Sequence, residues 1–276
     1  MGGYLRALAI AVAVPILNHL FMGLAGFLQL RSLSATWGEA IHTAVQAPLN
    51  YALVQAASVG VIFVVAFPHR RRQGSFLEAV HVRPLVGGVV ALCFVAGAFA
   101  QLPLAEVGNL VHEVWPISFE ELARRHRLIN PTTWWGGISA LIALVMVAPV
   151  TEELLFRGWL LPDLKTRYGS TAALVWSSFC FGLAHLEASA FAYATLGGLV
   201  LGAVALRTRS TLGSIAMHAG VNALPLLLPV RAIRIEGFNT LSQRVEHIAW
   251  WLLVLALCGV GCTLALLWRA TRDPGP

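Results

Sequence analysis

Long apolar runs, separated by short polar segments, set the pattern of this chain. Eight runs have about the 20 residues that an α-helix needs to cross a bilayer. The runs lie at 5–30, 45–67, 85–105, 134–160, 171–187, 190–206, 213–230 and 247–268. The sequence therefore predicts an all-α fold, a polytopic membrane helix bundle of about eight transmembrane helices, as a single integral-membrane domain over 1–276. The fifth and sixth runs are short and almost contiguous, which is compatible with tilted or partly re-entrant helices.

The composition agrees with a membrane protein and changes the expected partners. Of the 276 residues, 58% are hydrophobic and 12% are charged, whereas soluble domains carry about 25% charged residues. The net charge of +6 comes almost entirely from arginine, with Lys165 the only lysine, as is typical of GC-rich bacterial genomes. The basic residues form no patch or stripe, which argues against nucleic-acid binding. We expect the lipid bilayer and a membrane-embedded protein or peptide substrate as partners.

The distribution of basic residues predicts the orientation, because cytoplasmic loops carry an excess of Lys and Arg. With the N-terminus inside, eleven basic residues lie in inner segments and seven in outer loops. The inner set is Arg6, Arg70, Arg71, Arg72, Arg83, Lys165, Arg167, Arg207, Arg209, Arg269 and Arg272, and the outer set is Arg31, Arg124, Arg125, Arg127, Arg231, Arg234 and Arg244. We therefore predict a multi-pass protein of the bacterial cytoplasmic membrane with both termini inside.

Two hexapeptides, EELARR at 120–125 and EELLFR at 152–157, share one charge pattern in different surroundings. The first lies in the polar segment 106–133, where an exposed helix with an ordinary Glu121–Arg125 pair explains it. The second lies in an apolar run. There each charge costs at least about 2.5–3.5 kcal/mol at the bilayer centre, so such charges persist when paired and usually functional. We interpret the second copy as part of a site.

Two other apolar runs supply polar faces that could complete this site. Phe181 and His185 are four residues apart on the fifth run, and His218 and Asn222 are four apart on the seventh. That spacing places each pair on one helix face. Interhelical hydrogen bonding explains a single face of this kind. Three such faces together indicate a shared site.

The two adjacent glutamates are expected to have different roles. Glu153 lies four residues before Arg157, so an ion pair should keep Glu153 ionised. Glu152 points about 100° away around the helix and has no cation of its own, which suits a general base that takes a proton from water. His185 could share that water. His218 and Asn222 carry donors suited to a developing oxyanion, so the predicted reaction is water attack on an amide or ester within the membrane.

In order, these motifs read EExxxR, FxxxH and HxxxN, and they resemble those of the CPBP group. This group is also called Abi or glutamic-type intramembrane proteases, and it includes the type II CaaX prenyl endopeptidases. The resemblance covers a catalytic core at about 134–225. It implies an eight-helix intramembrane endopeptidase in which Glu152 and His185 activate water while His218 and Asn222 hold the oxyanion. The supporting residues of the motifs are Glu153, Arg157 and Phe181.

The resemblance leaves the cofactor open, because members of the group were long called metalloproteases. We favour a metal-free glutamate mechanism, since no HExxH occurs; a zinc ion would be held by Glu152, His185 and His218. The only aspartates, Asp163 and Asp273, lie in polar segments, which excludes a paired-aspartate protease.

Two other function classes compete with a protease. A transporter also carries charges within the membrane, but the polar faces have no counterpart in the first three runs, where a helix-packing hydrogen bond explains Asn18 and His19. A non-catalytic scaffold or immunity protein is less compatible with a complete set of motif residues. For the substrate we expect a C-terminal sorting anchor or a membrane peptide. A CaaX-like tail is less favoured, because bacteria generally lack prenylated CaaX proteins.

Overall fold

The computed structural model describes residues 2–30, 36–44, 47–66 and 75–272, and all its regular structure within these ranges is helical. Its α-helices are α1 (Gly3–Leu30), α2 (Trp37–Ala44), α3 (Pro48–Ala66), α4 (Phe76–Ala79), α5 (Gly87–Val114), α6 (Phe119–Ile129), α7 (Trp134–Ala140), α8 (Ala148–Glu153), α9 (Leu161–Leu183), α10 (Ala188–Thr208), α11 (Thr211–Leu227) and α12 (Trp250–Ala270). Two π-helical segments, Leu141–Val147 and Leu154–Leu160, join α7, α8 and α9 into one continuous helical stretch.

Among the described residues, six helical stretches are long and apolar enough to cross a membrane, and α11 is a shorter apolar helix. One of the six, Trp134–Leu183, has 50 residues, and it bends at Gly169. Gly169 has φ 79° and ψ 169°, a left-handed conformation that glycine adopts without a Cβ clash. The bend divides the stretch into the predicted fourth and fifth spans.

Each of the eight predicted spans corresponds to a helical stretch, and the prediction of a polytopic helical membrane protein is confirmed. The third helix is longer than predicted, because α5 continues past 105 to Val114. Residues 45, 46 and 67 of the second predicted span lie outside the described residues, as do four arginines of the orientation count. These four are Arg31, Arg70, Arg71 and Arg72.

Glycines allow α5 and α11 to pack backbone against backbone. A Cβ built on Gly97 of α5 would lie 1.8 Å from the Met217 carbonyl oxygen, and one on Gly220 of α11 would lie 1.9 Å from that of Phe94. Neither position has room for a side chain. Since Gly220 falls within the HxxxN motif, this close crossing fixes the depth and rotation of His218.

Gly198 and Gly202 of α10 form a GxxxG pair that packs inside the molecule against α9. A Cβ on Gly198 would lie 3.1 Å from Ser178 of α9, and one on Gly202 would lie 2.5 Å from Leu174. Small residues at this spacing let two membrane helices approach closely. The contact brings the carbonyl of Gly198 to the centre of the bundle.

A short segment between α4 and α5, here called the strap, contains Val80 and His81 and contacts both α11 and the π-helical segment Leu154–Leu160. Thr211 Oγ1, at the start of α11, donates to the Val80 carbonyl at 2.7 Å, and the Thr211 N–H donates to the His81 carbonyl at 2.9 Å. His81 Nδ1 lies 3.2 Å from the carbonyl of Gly158, the residue that follows EELLFR. The strap therefore positions α11 relative to the π-helical segment Leu154–Leu160.

The EELARR hexapeptide forms α6, and the predicted pair is present. Glu121 Oε1 accepts from Arg125 Nε at 2.9 Å and from Arg124 Nη2 at 2.6 Å. Arg124 also donates to the Tyr51 hydroxyl of α3, and Arg125 donates to Glu187 Oε2 at 3.3 Å. Helix α6 is therefore tied to α3 on one side and to the start of α10 on the other.

Glu187 is the N-cap of α10. Burial would raise the pKa of Glu187, but hydrogen bonds from the Ser189 hydroxyl and from the Ser189 and Ala190 N–H groups, with Arg125 nearby, outweigh it. The pKa falls to about 2. The carboxylate that anchors α6 is thus held in its ionised form.

Candidate active site

Two π-helical segments flank the glutamates of EELLFR, and each is followed by a proline. Pro149 comes two residues after Leu141–Val147, and Pro162 comes two residues after Leu154–Leu160. Proline lacks an N–H and clashes with the preceding turn, so a wider turn accommodates it. Such π-helical turns occur frequently at functional sites. Here they present Glu152 and Glu153 on a short α-helix, α8, in the middle of the stretch.

Glu153 lies at the centre of a fully buried polar cluster. Its Oε1 atom accepts from Arg157 Nη1 at 2.8 Å and from His218 Nδ1 at 3.0 Å. The Glu153 and Arg157 side chains are both 0% exposed. Arg157 also donates through Nη2 to the Gly198 carbonyl at 3.2 Å. The predicted contact between Glu153 and Arg157 is therefore present, and it joins three helices at one buried ion pair.

Phe181 packs against Arg157, His185 and His218, which are one side chain from each of the three motifs. The Arg157 guanidinium carbon lies 4.2 Å from the centre of its ring, a cation–π contact. The imidazole centroids of His185 and His218 lie 5.0 and 5.8 Å from the same ring, both edge to face. Phe181 therefore sets the relative positions of the two histidines.

His185 lies in the turn after α9, not within the helix as predicted. The helix ends at Leu183, and Leu186 adopts a left-handed φ of 58° as the chain turns towards α10. His185 Nδ1 lies 2.9 Å from the Phe181 carbonyl, one of the last carbonyls of the helix. Because a carbonyl only accepts, Nδ1 carries the proton and Nε2 of the neutral ring is left as an acceptor.

Glu152 is the more accessible of the two glutamates, with a side chain 16% exposed against 0% for Glu153. Its Oε2 atom lies 3.9 Å from His218 Nε2, too far for a direct hydrogen bond. Its Oε1 atom accepts from Gln55 Nε2 of α3 at 3.1 Å. Glu152 has no arginine or lysine in ion-pair contact among the described residues, which fits the predicted division of roles.

Asn222 supplies a hydrogen bond that the backbone cannot make. In the π-helical segment the Ala148 N–H bonds to the Ala143 carbonyl, so the next carbonyl, that of Leu144, would require the N–H of Pro149. Proline has none. Asn222 Nδ2 donates to the Leu144 carbonyl at 2.8 Å instead. The amide carries a second N–H, which is the one that a substrate oxygen could accept from.

The histidines and Glu152 do not form a metal site as they stand. Among residues 2–30, 36–44, 47–66 and 75–272, no three His, Cys, Asp or Glu side chains come together as a metal centre requires. The suggested ligands His185 and His218 instead pack edge to face on the Phe181 ring. The zinc alternative that the sequence left open is therefore not supported by the donor arrangement.

Sequence reasoning missed Gln55. It identified the polar faces of the fourth, fifth and seventh spans and found no counterpart in the first three. In the structure, Gln55 of the second predicted span contacts Glu152, and Asn18 of the first span donates through Nδ2 to Gln55 Oε1 at 2.8 Å. The available signal was an amide within the apolar run PLNYALVQAASVGV, whose partner only the packing reveals.

The comparison with known families adds to this geometry. Residues 133–224, a third of the chain, match the family model described as Type II CAAX prenyl endopeptidase Rce1-like. No curated protein and no solved structure matches the chain. The matched range contains EELLFR, the Phe181–His185 face and the His218–Asn222 face, and it excludes Asn18 and Gln55. This match agrees with the resemblance found from the three motifs: over residues 133–224 the chain matches a type II CAAX prenyl endopeptidase Rce1-like domain, which supports intramembrane endopeptidase activity in general.

Proposed function

We propose that this protein is an endopeptidase that hydrolyses a peptide bond near the membrane-embedded end of its substrate, by water that Glu152 and His185 activate. The observation that carries the proposal is the contrast between the two glutamates. Glu153 is fully buried and bonded to Arg157 and His218, whereas Glu152 is partly exposed and has one oxygen facing His218. One carboxylate organises the site and the other is left to react.

In the proposed reaction, Glu152 accepts a proton from water as the water oxygen attacks the scissile carbonyl carbon. The carbonyl becomes a tetrahedral oxyanion. When the C–N bond breaks, Glu152 returns the proton to the leaving amine, so the carboxylate is regenerated and both products are released. His185 Nε2, an acceptor in the neutral ring, can hold the second hydrogen of the water.

The oxyanion donors would be His218 and Asn222. His218 Nδ1 already donates to Glu153, so its Nε2 can donate to an oxyanion only in the doubly protonated ring. Asn222 would use the N–H that is not bonded to Leu144. Removing one such donor from an acyl-transfer enzyme typically costs about 100- to 1000-fold in kcat.

The proposed substrate is a membrane protein or peptide that is cut near the end of its membrane segment. The family domain supports a membrane-embedded substrate, and the bundle of apolar helices around Glu152 would receive one from the lipid phase. We propose that the substrate is a C-terminal sorting anchor or a membrane peptide. A CaaX-like tail is the less favoured alternative. The orientation with both termini in the cytoplasm, in a bacterial cytoplasmic membrane, is part of the same proposal.

Whole-membrane proteomics of the source organism tests this function and identifies the substrate in the same experiment. Strains carrying Glu152→Ala and Glu120→Ala are compared with wild type; Glu120 is the first glutamate of EELARR and is exposed on α6, so it is a matched control. Accumulation of uncut membrane precursors in Glu152→Ala alone supports the protease, and the precursors are its substrates. Normal abundance of both variants with no change in precursors would overturn it, and transport or scaffolding would then have to be tested.

A further inference from the structure

A series of amide hydrogen bonds reaches Glu152 from helices α1 and α3. Asn18 of α1 donates through Nδ2 to Gln55 Oε1 at 2.8 Å, and Gln55 of α3 donates through Nε2 to Glu152 Oε1 at 3.1 Å. All three side chains are partly buried. Neither Asn18 nor Gln55 belongs to the family domain at 133–224.

The direction of this hydrogen-bond chain is fixed by its carboxylate end. An ionised carboxylate can only accept, so Gln55 must turn its NH₂ group towards Glu152 and its carbonyl oxygen towards Asn18. Asn18 then must donate, and its own Oδ1 is buried without a hydrogen-bond partner among the described residues. An unpaired buried acceptor is costly. The Glu152 carboxylate therefore gains a hydrogen bond in an arrangement that leaves Asn18 Oδ1 unpaired.

The chain also distinguishes the two oxygens of Glu152. Gln55 occupies Oε1, while Oε2 faces His218 Nε2 at 3.9 Å. Oε2 is thus the oxygen on the side of His218, one of the two residues proposed to hold the oxyanion. With Gln55 in place, the carboxylate cannot rotate without losing a charge-assisted hydrogen bond, which is among the stronger kinds.

We propose that Gln55 is a positioning residue, which orients Glu152 so that Oε2 is the oxygen that takes the proton, and that Asn18 acts through Gln55. This inference rests on the proposed function and deepens it. It assigns a part of the catalytic apparatus to α1 and α3, outside the domain that carries the three motifs.

The chain offers a matched control for a purely structural role. Gln29 of α1 donates through Nε2 to Asn50 Oδ1 of α3 at 3.2 Å, so it joins the same two helices by the same kind of amide bond. No contact joins Gln29 to Glu152. Gln29→Met removes one such bond, and Gln55→Met removes one such bond together with the bond to Glu152; both changes keep the side-chain length nearly the same. If the bonds serve only helix packing, the two variants should behave alike.

The test uses the full-length protein in detergent, with the membrane proteins of a strain deleted for the gene as the substrate pool. Mass spectrometry follows the new chain termini that wild type generates and Glu152→Ala does not, over a series of pool dilutions. For each variant this gives an apparent kcat and an apparent KM for the pool. Thermal unfolding of every variant is recorded in parallel.

We expect Gln55→Met to lower kcat by about 10-fold or more, with KM within about twofold, because the lost bond orients a reacting group without binding the substrate. Asn18→Leu should lower kcat by a smaller factor and should have no further effect in the Gln55→Met background, since it acts through Gln55. Gln29→Met should leave kcat unchanged.

The outcomes separate the two claims. If Glu152→Ala is inactive while Gln55→Met keeps wild-type kcat, or loses no more than Gln29→Met, the positioning role is overturned and the protease stands. Additive losses in the Asn18→Leu/Gln55→Met variant would overturn the role of Asn18. If wild type and Glu152→Ala produce the same termini, the proposed function fails and the inference fails with it.

Discussion

His218 Nδ1 and Glu153 Oε1 are joined by a 3.0 Å hydrogen bond, although the two residues are 65 positions apart in the chain. The bond connects the first motif to the third, and Arg157 donates to the same oxygen at 2.8 Å. Because Glu153 accepts from both, His218 is held with its Nε2 directed towards Glu152. The supporting glutamate thereby orients the ring that would act on the substrate.

The buried Glu153–Arg157 pair gives the first prediction. Arg157→Met should lower the free energy of unfolding by about 3–5 kcal/mol, because it leaves a fully buried carboxylate without its cation. Adding Glu153→Leu should restore most of that loss, since replacing a whole buried pair by apolar residues is often neutral. Thermal unfolding in detergent measures both variants. A double variant that is no more stable than Arg157→Met would contradict this account.

The crossing of α5 and α11 gives the second prediction. Gly220→Ala should destabilise the protein by at least about 1–3 kcal/mol, since the new Cβ would lie 1.9 Å from the Phe94 carbonyl oxygen and the helices must separate. Gly60→Ala on α3 is the control, because a Cβ there meets nothing within 4 Å. It should stabilise slightly, by roughly 0.5–1 kcal/mol, as alanine favours a helix more than glycine does. Equal unfolding temperatures for the two variants would argue against the close crossing.

Asn222 is predicted to have two separable roles. Asn222→Leu should lower kcat by about 100-fold or more through loss of an oxyanion donor, and should lower stability by about 1–3 kcal/mol because the Leu144 carbonyl loses its donor. Adding Pro149→Ala supplies a backbone N–H that can bond to that carbonyl. The double variant should therefore regain stability but not activity, as measured by thermal unfolding and by the appearance of new termini. Recovery of both would show that Asn222 is structural.

A pH-dependent contribution to stability is predicted in the connection between α11 and α12, where His247 precedes the start of α12 at Trp250 and faces the last turns of α5. His247 Nδ1 lies 2.6 Å from Glu106 Oε1 and its Nε2 lies 3.1 Å from Glu113 Oε1. Hydrogen bonds with Glu106 and then Glu113 raise the pKa of His247 above its ordinary value. A group whose pKa is raised by folding stabilises the protein fully below its unfolded pKa of about 6.5, and this contribution is lost as the pH rises through the raised pKa.

The unfolding temperature of His247→Gln, compared with that of wild type, measures this contribution. The difference should be largest near pH 6 and should decrease steadily towards pH 9. Arg234→Gln, in the same connection, is the control, because arginine stays charged throughout and its effect should not change with pH. A difference for His247→Gln that is constant, or that grows with pH, would contradict the assignment.

The sequence by itself determined the features that depend on local periodicity. Twenty-residue apolar runs located the membrane helices, and the 3.6-residue turn placed Glu153 beside Arg157 and directed Glu152 away from it. It also placed Gly198 and Gly202 on one face of α10, which indeed packs against α9. Each of these relationships joins residues at most four apart, so the geometry of one helix fixes them.

Only the tertiary structure decided which helix faces meet. The contacts of Glu153 with His218, and of Glu152 with Gln55, depend on the rotation and depth of separate helices, which close approaches such as that of Gly220 to Phe94 set. No periodicity in a single run encodes such a contact. An amide in an apolar run has many possible partners, and packing selects among them. That is why Gln55 reaches Glu152 across 97 positions without any sign of it in the pattern of the chain.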